Sequence, residues 1–93
     1  MFVRGEIMNI CILMGKIVEN IEFKFIYNDK RISVAYTTIM LLNKSKVKIK
    51  GYTEKADEMY RKLRFGDVIV AEGKLNTKME VEIEKITIIP HLH

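Results

Sequence analysis

Ninety-three residues, 48% apolar and 30% charged, suit one soluble globular domain over 1–93 and are too few for two hydrophobic cores. No apolar run approaches the roughly 20 residues of a membrane helix, and Ile10–Met14 has neither the length nor the small-residue site of a secretion signal. A net charge of +4 and a pI of about 9.2 allow a polyanionic partner without requiring one.

Met1–Glu6 reads as a loose lead or an extra piece of edge strand, and strand signal proper starts near Ile7. Every position from Ile10 to Met14 is apolar, so this strand needs cover on both sides. One side is the core. A neighbouring subunit covers the other better than water does, which makes Ile10, Ile12 and Met14 the expected interface of a homodimer or homotetramer. Cys11, the single cysteine, excludes an internal disulfide, fits a reducing cytoplasm and reads as a small buried hydrophobe. Beyond Gly15 the chain alternates, with Phe23, Phe25 and Tyr27 on one side and Glu22 and Lys24 on the other. The expectation is one long first strand bent at Gly15. Asn28-Asp29-Lys30 is a polar turn, and Arg31–Leu42 is a β-branched and aromatic strand that completes a hairpin.

A second turn, Asn43-Lys44-Ser45, leads into Lys46-Val47-Lys48-Ile49-Lys50, where Val47 and Ile49 face inward and three lysines face out. Gly51 ends the strand. Thr53 is the expected N-cap of a short helix whose apolar stripe is Ala56, Met59, Tyr60 and Leu63, and Gly66 its stop. Val68–Ala71 is apolar on both faces, as in a strand covered on both sides, and Gly73 marks a bend into a further piece, Lys74–Lys78. Met79, Val81 and Ile83 then alternate with Glu80, Glu82 and Glu84. Ile86 and Ile88 fall on the other parity, which predicts a bulge near Glu84-Lys85. Pro90 closes the last strand. Five strands with one short helix between the third and fourth make an all-β chain, a five-stranded oligonucleotide/oligosaccharide-binding (OB) barrel.

These residues resemble the bacterial single-stranded DNA-binding protein (SSB) family and its relative, the primosomal protein PriB. The resemblance covers about residues 8–89. It rests on Met8-Asn9 followed by apolar residues and Gly15, on Ile21-Glu22-Phe23-Lys24-Phe25, and on Gly51 before the helix. Its most specific part is Gly66, Ile69-Val70-Ala71, Glu72-Gly73, Leu75, Thr77 and Lys78. The family pattern begins at Met8, and the sequence alone does not decide between Met1 and Met8 as the start. The resemblance implies a non-catalytic protein of DNA replication or repair that binds single-stranded DNA, with RNA as a second candidate and replication or repair proteins as further partners. The family's stacking aromatics fall on Lys44, Lys50 and near Glu80, the chain has no tryptophan, and it stops at Pro90-His91-Leu92-His93 without the family's acidic, glycine- and proline-rich tail. An SSB-like module that binds a protein instead of DNA is therefore the alternative.

Two basic sets compete for the nucleic-acid role. One is the row Lys46, Lys48 and Lys50, extended by Lys44, with Tyr52 nearby. If the third strand pairs with the fifth, Glu80, Glu82 and Glu84 neutralise that row and leave an ordinary soluble face. The other is Lys16, Lys24, Arg31, Lys74 and Lys78, which has no evident acidic partner. It becomes one surface if the first hairpin and the strand after Gly73 converge. Phe25, Tyr27, Tyr36 and Tyr52 are the candidates for base stacking, each weighed against a place in the core. No nucleophile–base pair or phosphate-cradling glycine loop is present, and His91, His93 and Cys11 make a poor metal set. The sequence thus implies no enzyme, metal or cofactor.

Overall fold

The computed structural model describes residues 10–27 and 31–90, Tyr27 by its backbone alone. The Met1–Glu6 lead, the strand start near Ile7, Met8-Asn9, the Asn28-Asp29-Lys30 turn, His91 and His93 lie outside these residues. The elements are β1 (Cys11–Ile17), β2 (Glu22–Tyr27), β3 (Arg31–Met40), β4 (Lys46–Tyr52), α1 (Glu54–Lys62), β5 (Val68–Leu75) and β6 (Val81–Ile89). The strands pair in the order β1-β5-β6-β4-β3-β2, and β3 also returns to β1 through Lys16 opposite Met40 and Ile17 opposite Ile39. That return closes five strands into a barrel. β1 and β2 run along the same edge of β3 and count as one interrupted strand of the five. Every pairing is antiparallel except β4 with β6, where Ile49 lies opposite Val81 and Lys50 opposite Glu82. This is the OB order expected from the sequence, with the helix in the expected place.

The long first strand breaks at Val18–Ile21, not at Gly15. Glu19 fixes the break by satisfying two buried hydroxyls of β3. Its carbonyl accepts from Thr37 Oγ1 at 2.8 Å and its carboxylate from Thr38 Oγ1 at 2.6 Å. Left unpaired, such buried groups would each cost about 1–3 kcal/mol. Gly15 serves closure instead, because a Cβ there would lie 2.9 Å from the Met40 carbonyl oxygen and 3.2 Å from Ile39 Cβ.

The core is built from Ile17, Ala35, Ile39, Ile49, Ile69, Ala71, Val81 and Ile83, and α1 closes one end with Ala56, Met59 and Leu63. Tyr60 belongs to the predicted stripe but is exposed. Thr53 stands at the N-cap position and makes no side-chain capping bond. Its N–H donates to the Ser33 carbonyl at 2.9 Å, and it adopts φ 51° and ψ −111°, a region that a β-branched residue rarely enters. The helix stops at Lys62, before Gly66. Gly66 (φ 92°) instead shapes the Arg64–Asp67 turn, in which the Asp67 N–H donates to the Arg64 carbonyl at 3.0 Å. That turn docks on β1, with Gly66 N–H to Ile17 O and Ile17 N–H to Asp67 O both at 2.9 Å.

β5 runs through Gly73 to Leu75 as one strand, so Lys74–Lys78 is not a separate strand. The pairing jumps from Glu72–Lys85 to Gly73–Ile83, which leaves Glu84 as the extra residue of a bulge where the parity slip predicted one. Ile69 and Ala71 are buried, whereas Val68 and Val70 are only half-buried on the outer face. Asn76 organises the β5–β6 loop, its Oδ1 accepting from the N–H groups of Lys78 at 2.9 Å and Glu80 at 3.0 Å. Met79 therefore sits exposed in a turn at φ 64° and takes no part in the core. Among the described residues no helix is long and apolar enough to cross a membrane.

Candidate nucleic-acid interface

Strand periodicity decides which side chains share the outer face of β2, β3 and β4. Even-numbered positions of all three face outward, because Lys24 pairs with Val34, Val34 with Tyr52, and Tyr36 with Lys50. Lys24, Ile26, Val34, Tyr36, Lys48, Lys50 and Tyr52 together line one shallow groove. Tyr36 is at its centre. The Lys24 and Lys48 ammonium groups lie 5.4 and 5.3 Å from the Tyr36 ring centroid, within cation–π range from the two neighbouring strands. Ile26 and Val34, which composition alone did not single out, supply the apolar floor.

The acidic strand borders this groove. Following the register outward, Tyr36 lies beside Lys50, Lys50 beside Glu82, and Glu82 beside Lys74. Glu80 holds Lys50 at 3.0 Å and Lys48 at 3.9 Å. Its hydrogen bonds with Asn76 and then Lys50 hold the Glu80 carboxyl below the usual carboxylate range, and the bond to Glu80 raises the Lys50 pKa. The expected neutralisation of the lysine row is thus real at Lys48 and Lys50. Among the described residues Lys46 makes no ion pair, and it lies exposed at the start of β4.

The second basic set does not converge. β4 and β6 separate the first hairpin from β5, so Lys24 and Lys74 stand at opposite ends of the face. Lys74 does have an acidic partner, Glu84 at 3.8 Å, in an exposed pair. Lys78 is exposed at the tip of the β5–β6 loop, two residues from Glu80. Lys16 lies elsewhere, lining an apolar recess with Met14, Met40, Leu42, Lys44 and Val68. Phe25 and Arg31 occupy the opposite face of the hairpin, because their odd parity turns them away from Tyr36. Ile10, Ile12 and Met14 are 63%, 61% and 51% exposed on one side of β1.

No protein-family model matches the chain, and no curated protein matches it. Solved structures do. The SSB domain of a Synechococcus sp. protein superposes with a TM-score of 0.77 at 25% identity, over 89% of this chain and 98% of that one. The single-stranded DNA binding protein of Thermus aquaticus gives a TM-score of 0.77 at 20% identity over 90% of this chain, which spans 41% of that longer protein. The PriB protein of Ralstonia solanacearum gives 0.69 at 14% identity, over 88% of this chain and 98% of that one. Strand order, the parallel β4–β6 contact, the helix position and these superpositions agree: the chain carries the OB barrel of the SSB and PriB type.

Proposed function

We propose that this protein binds single-stranded DNA along the groove of β2, β3 and β4, without catalysis. The observation that carries the reading is Tyr36 flanked by Lys24 and Lys48. A base has a ring to stack on, and two ammonium groups lie beside it for the adjoining phosphates. The fold likeness to proteins named for single-stranded DNA binding supports the same reading. With a single central ring, binding leans on electrostatics, because each lost stacking contact removes about 1–3 kcal/mol. β4 and β6 run parallel, so Lys46 at the start of β4 and Lys78 just before β6 extend the phosphate path at the same end of the lysine row. Single-stranded RNA offers the same phosphates and base faces and is the second ligand to try. A binder of this kind serves DNA replication or repair in the cytoplasm.

The same reading includes self-association through β1. Ile10, Ile12 and Met14 present an exposed apolar stripe, and Cys11–Gly15 has β5 on one edge and no described strand on the other. An open edge beside an apolar stripe favours pairing with a second copy.

The test of the groove is substitution at its centre. Tyr36→Ala is expected to weaken binding of labelled oligo-dT by about tenfold, within the range for one stacking contact. Lys24→Glu with Lys48→Glu is expected to abolish it at moderate salt. Unchanged affinity in both variants would remove the site from this face.

A further inference from the structure

The β2–β3 hairpin carries a second aromatic–cation group on its opposite face. The Arg31 guanidinium lies over the Phe25 ring at 4.0 Å from its centroid. Phe25 meets Phe23 edge-on at 5.4 Å, and Phe23 meets Tyr60 of α1 at 5.1 Å. Two of these rings stay open to solvent, with Phe25 41% and Tyr60 57% exposed. Among the described residues neither Arg31 nor Arg61, next to Tyr60, makes an ion pair. Lys48 and Lys50 in the groove, by contrast, are drawn to Glu80. Strand β2 lies between the two faces and ends the sheet order, with no described strand on its outer edge.

We infer that a bound single strand leaves the groove, crosses the free edge of β2 and continues onto this patch. The inference rests on the groove reading and extends it. A guanidinium stacked on one ring presents its other face to a base and its N–H groups to a phosphate, and it is weakly hydrated enough to do both. Tyr60 offers a further ring for a base. A strand passing from Tyr36 over Lys24 thus meets Arg31 on Phe25 and then Tyr60, with Arg61 for the phosphate beyond. One thin hairpin would be gripped on both sides by the same nucleic acid. The patch has a structural duty too, since Phe23 holds the hairpin to α1, so the test must separate binding from folding.

The experiment compares oligo-dT of roughly six and roughly twenty nucleotides, spanning the range of about 4–16 that one OB barrel covers. Arg31→Gln and Tyr60→Ala are each measured by anisotropy, with thermal melts as the folding control and Tyr60→Phe as the ring-retaining control. The expected result is an unchanged short-oligonucleotide affinity and a loss of about tenfold on the long one. Arg31→Gln should also lower the salt slope for the long oligonucleotide by about one. Tyr60→Phe should bind the long oligonucleotide like wild type. Equal affinity of wild type and both variants for the long oligonucleotide would overturn the inference while leaving the groove in place. Equal losses on short and long would overturn it as well. A wild-type protein that binds neither would overturn the groove reading and this extension together.

Discussion

Glu80 sets how much positive charge the groove can offer to phosphate. It holds Lys50 at 3.0 Å and Lys48 at 3.9 Å, and Asn76 Nδ2 anchors it at 3.1 Å. In the proposed binding mode, phosphates must displace this carboxylate before they gain those two lysines. Glu80→Gln is therefore expected to raise oligo-dT affinity several-fold and to steepen the salt dependence, as more phosphates become neutralised. Unchanged affinity and slope in that variant would mean that the two lysines lie off the path. The same contacts set a pH window. Glu80 is held below its ordinary value of 4.5, so its contribution to stability is complete above that value and fades as pH falls through the lowered pKa. Lys50 is raised above 10.5, so its contribution is complete below that value and fades as pH rises through the raised pKa. Denaturant midpoints should accordingly fall less steeply below about pH 4.5 in Glu80→Gln than in wild type.

Gly73 is the other decisive residue, because a Cβ there would collide with the Glu82 carbonyl oxygen across the bulged pair. Backbone cannot swing aside as a side-chain tip can. Gly73→Ala is expected to destabilise the fold by about 1–3 kcal/mol in denaturant melts, in the range of other overpacked sites.

Among the elements, most of the strands were legible because alternation is written directly into side-chain type. The row Lys46 to Lys50, the parity slip after Ile83 and the hairpin of β2 with β3 all appear in the structure as the sequence implies. The errors cluster where the backbone leaves regular geometry. Gly15 looked like a bend, but a missing Cβ serves a close strand crossing as readily as a kink. Met79 continued an alternating pattern, yet Asn76 captures two N–H groups and turns the chain before that pattern can act. Thr53 was the expected cap because of its residue type, although its observed φ and ψ suit glycine. A residue held in such a region costs of order 1–3 kcal/mol. Thr53→Gly should therefore stabilise the protein by up to about 1 kcal/mol once the extra entropy of unfolded glycine is set against that strain. A lower melting temperature would show that the strain is absent.

On the scale of the whole molecule, the candidate site was less legible than the fold. Residue type marked Lys24, Tyr36 and the lysine row as candidates. Alternation already sets Phe25 opposite Lys24, and the hairpin register adds Arg31 to that side, but only the strand order reveals that Lys74 lies across an acidic strip from the groove. Such separation depends on pairing between strands distant in sequence, which periodicity does not encode. The exposed stripe on β1 was legible, since five consecutive apolar residues exceed what one core face absorbs. Ile12→Asp with Met14→Asp is expected to shift the protein to a monomer in light scattering, with the barrel intact by circular dichroism. A wild type that is already monomeric would remove the proposed β1 interface.

The most direct measurement is the anisotropy of labelled oligo-dT titrated with the wild-type protein at low and moderate salt. A groove of lysines around the Tyr36 ring predicts tight binding at low salt that weakens steeply and linearly in log–log form as salt rises. No binding even at low salt would contradict the account.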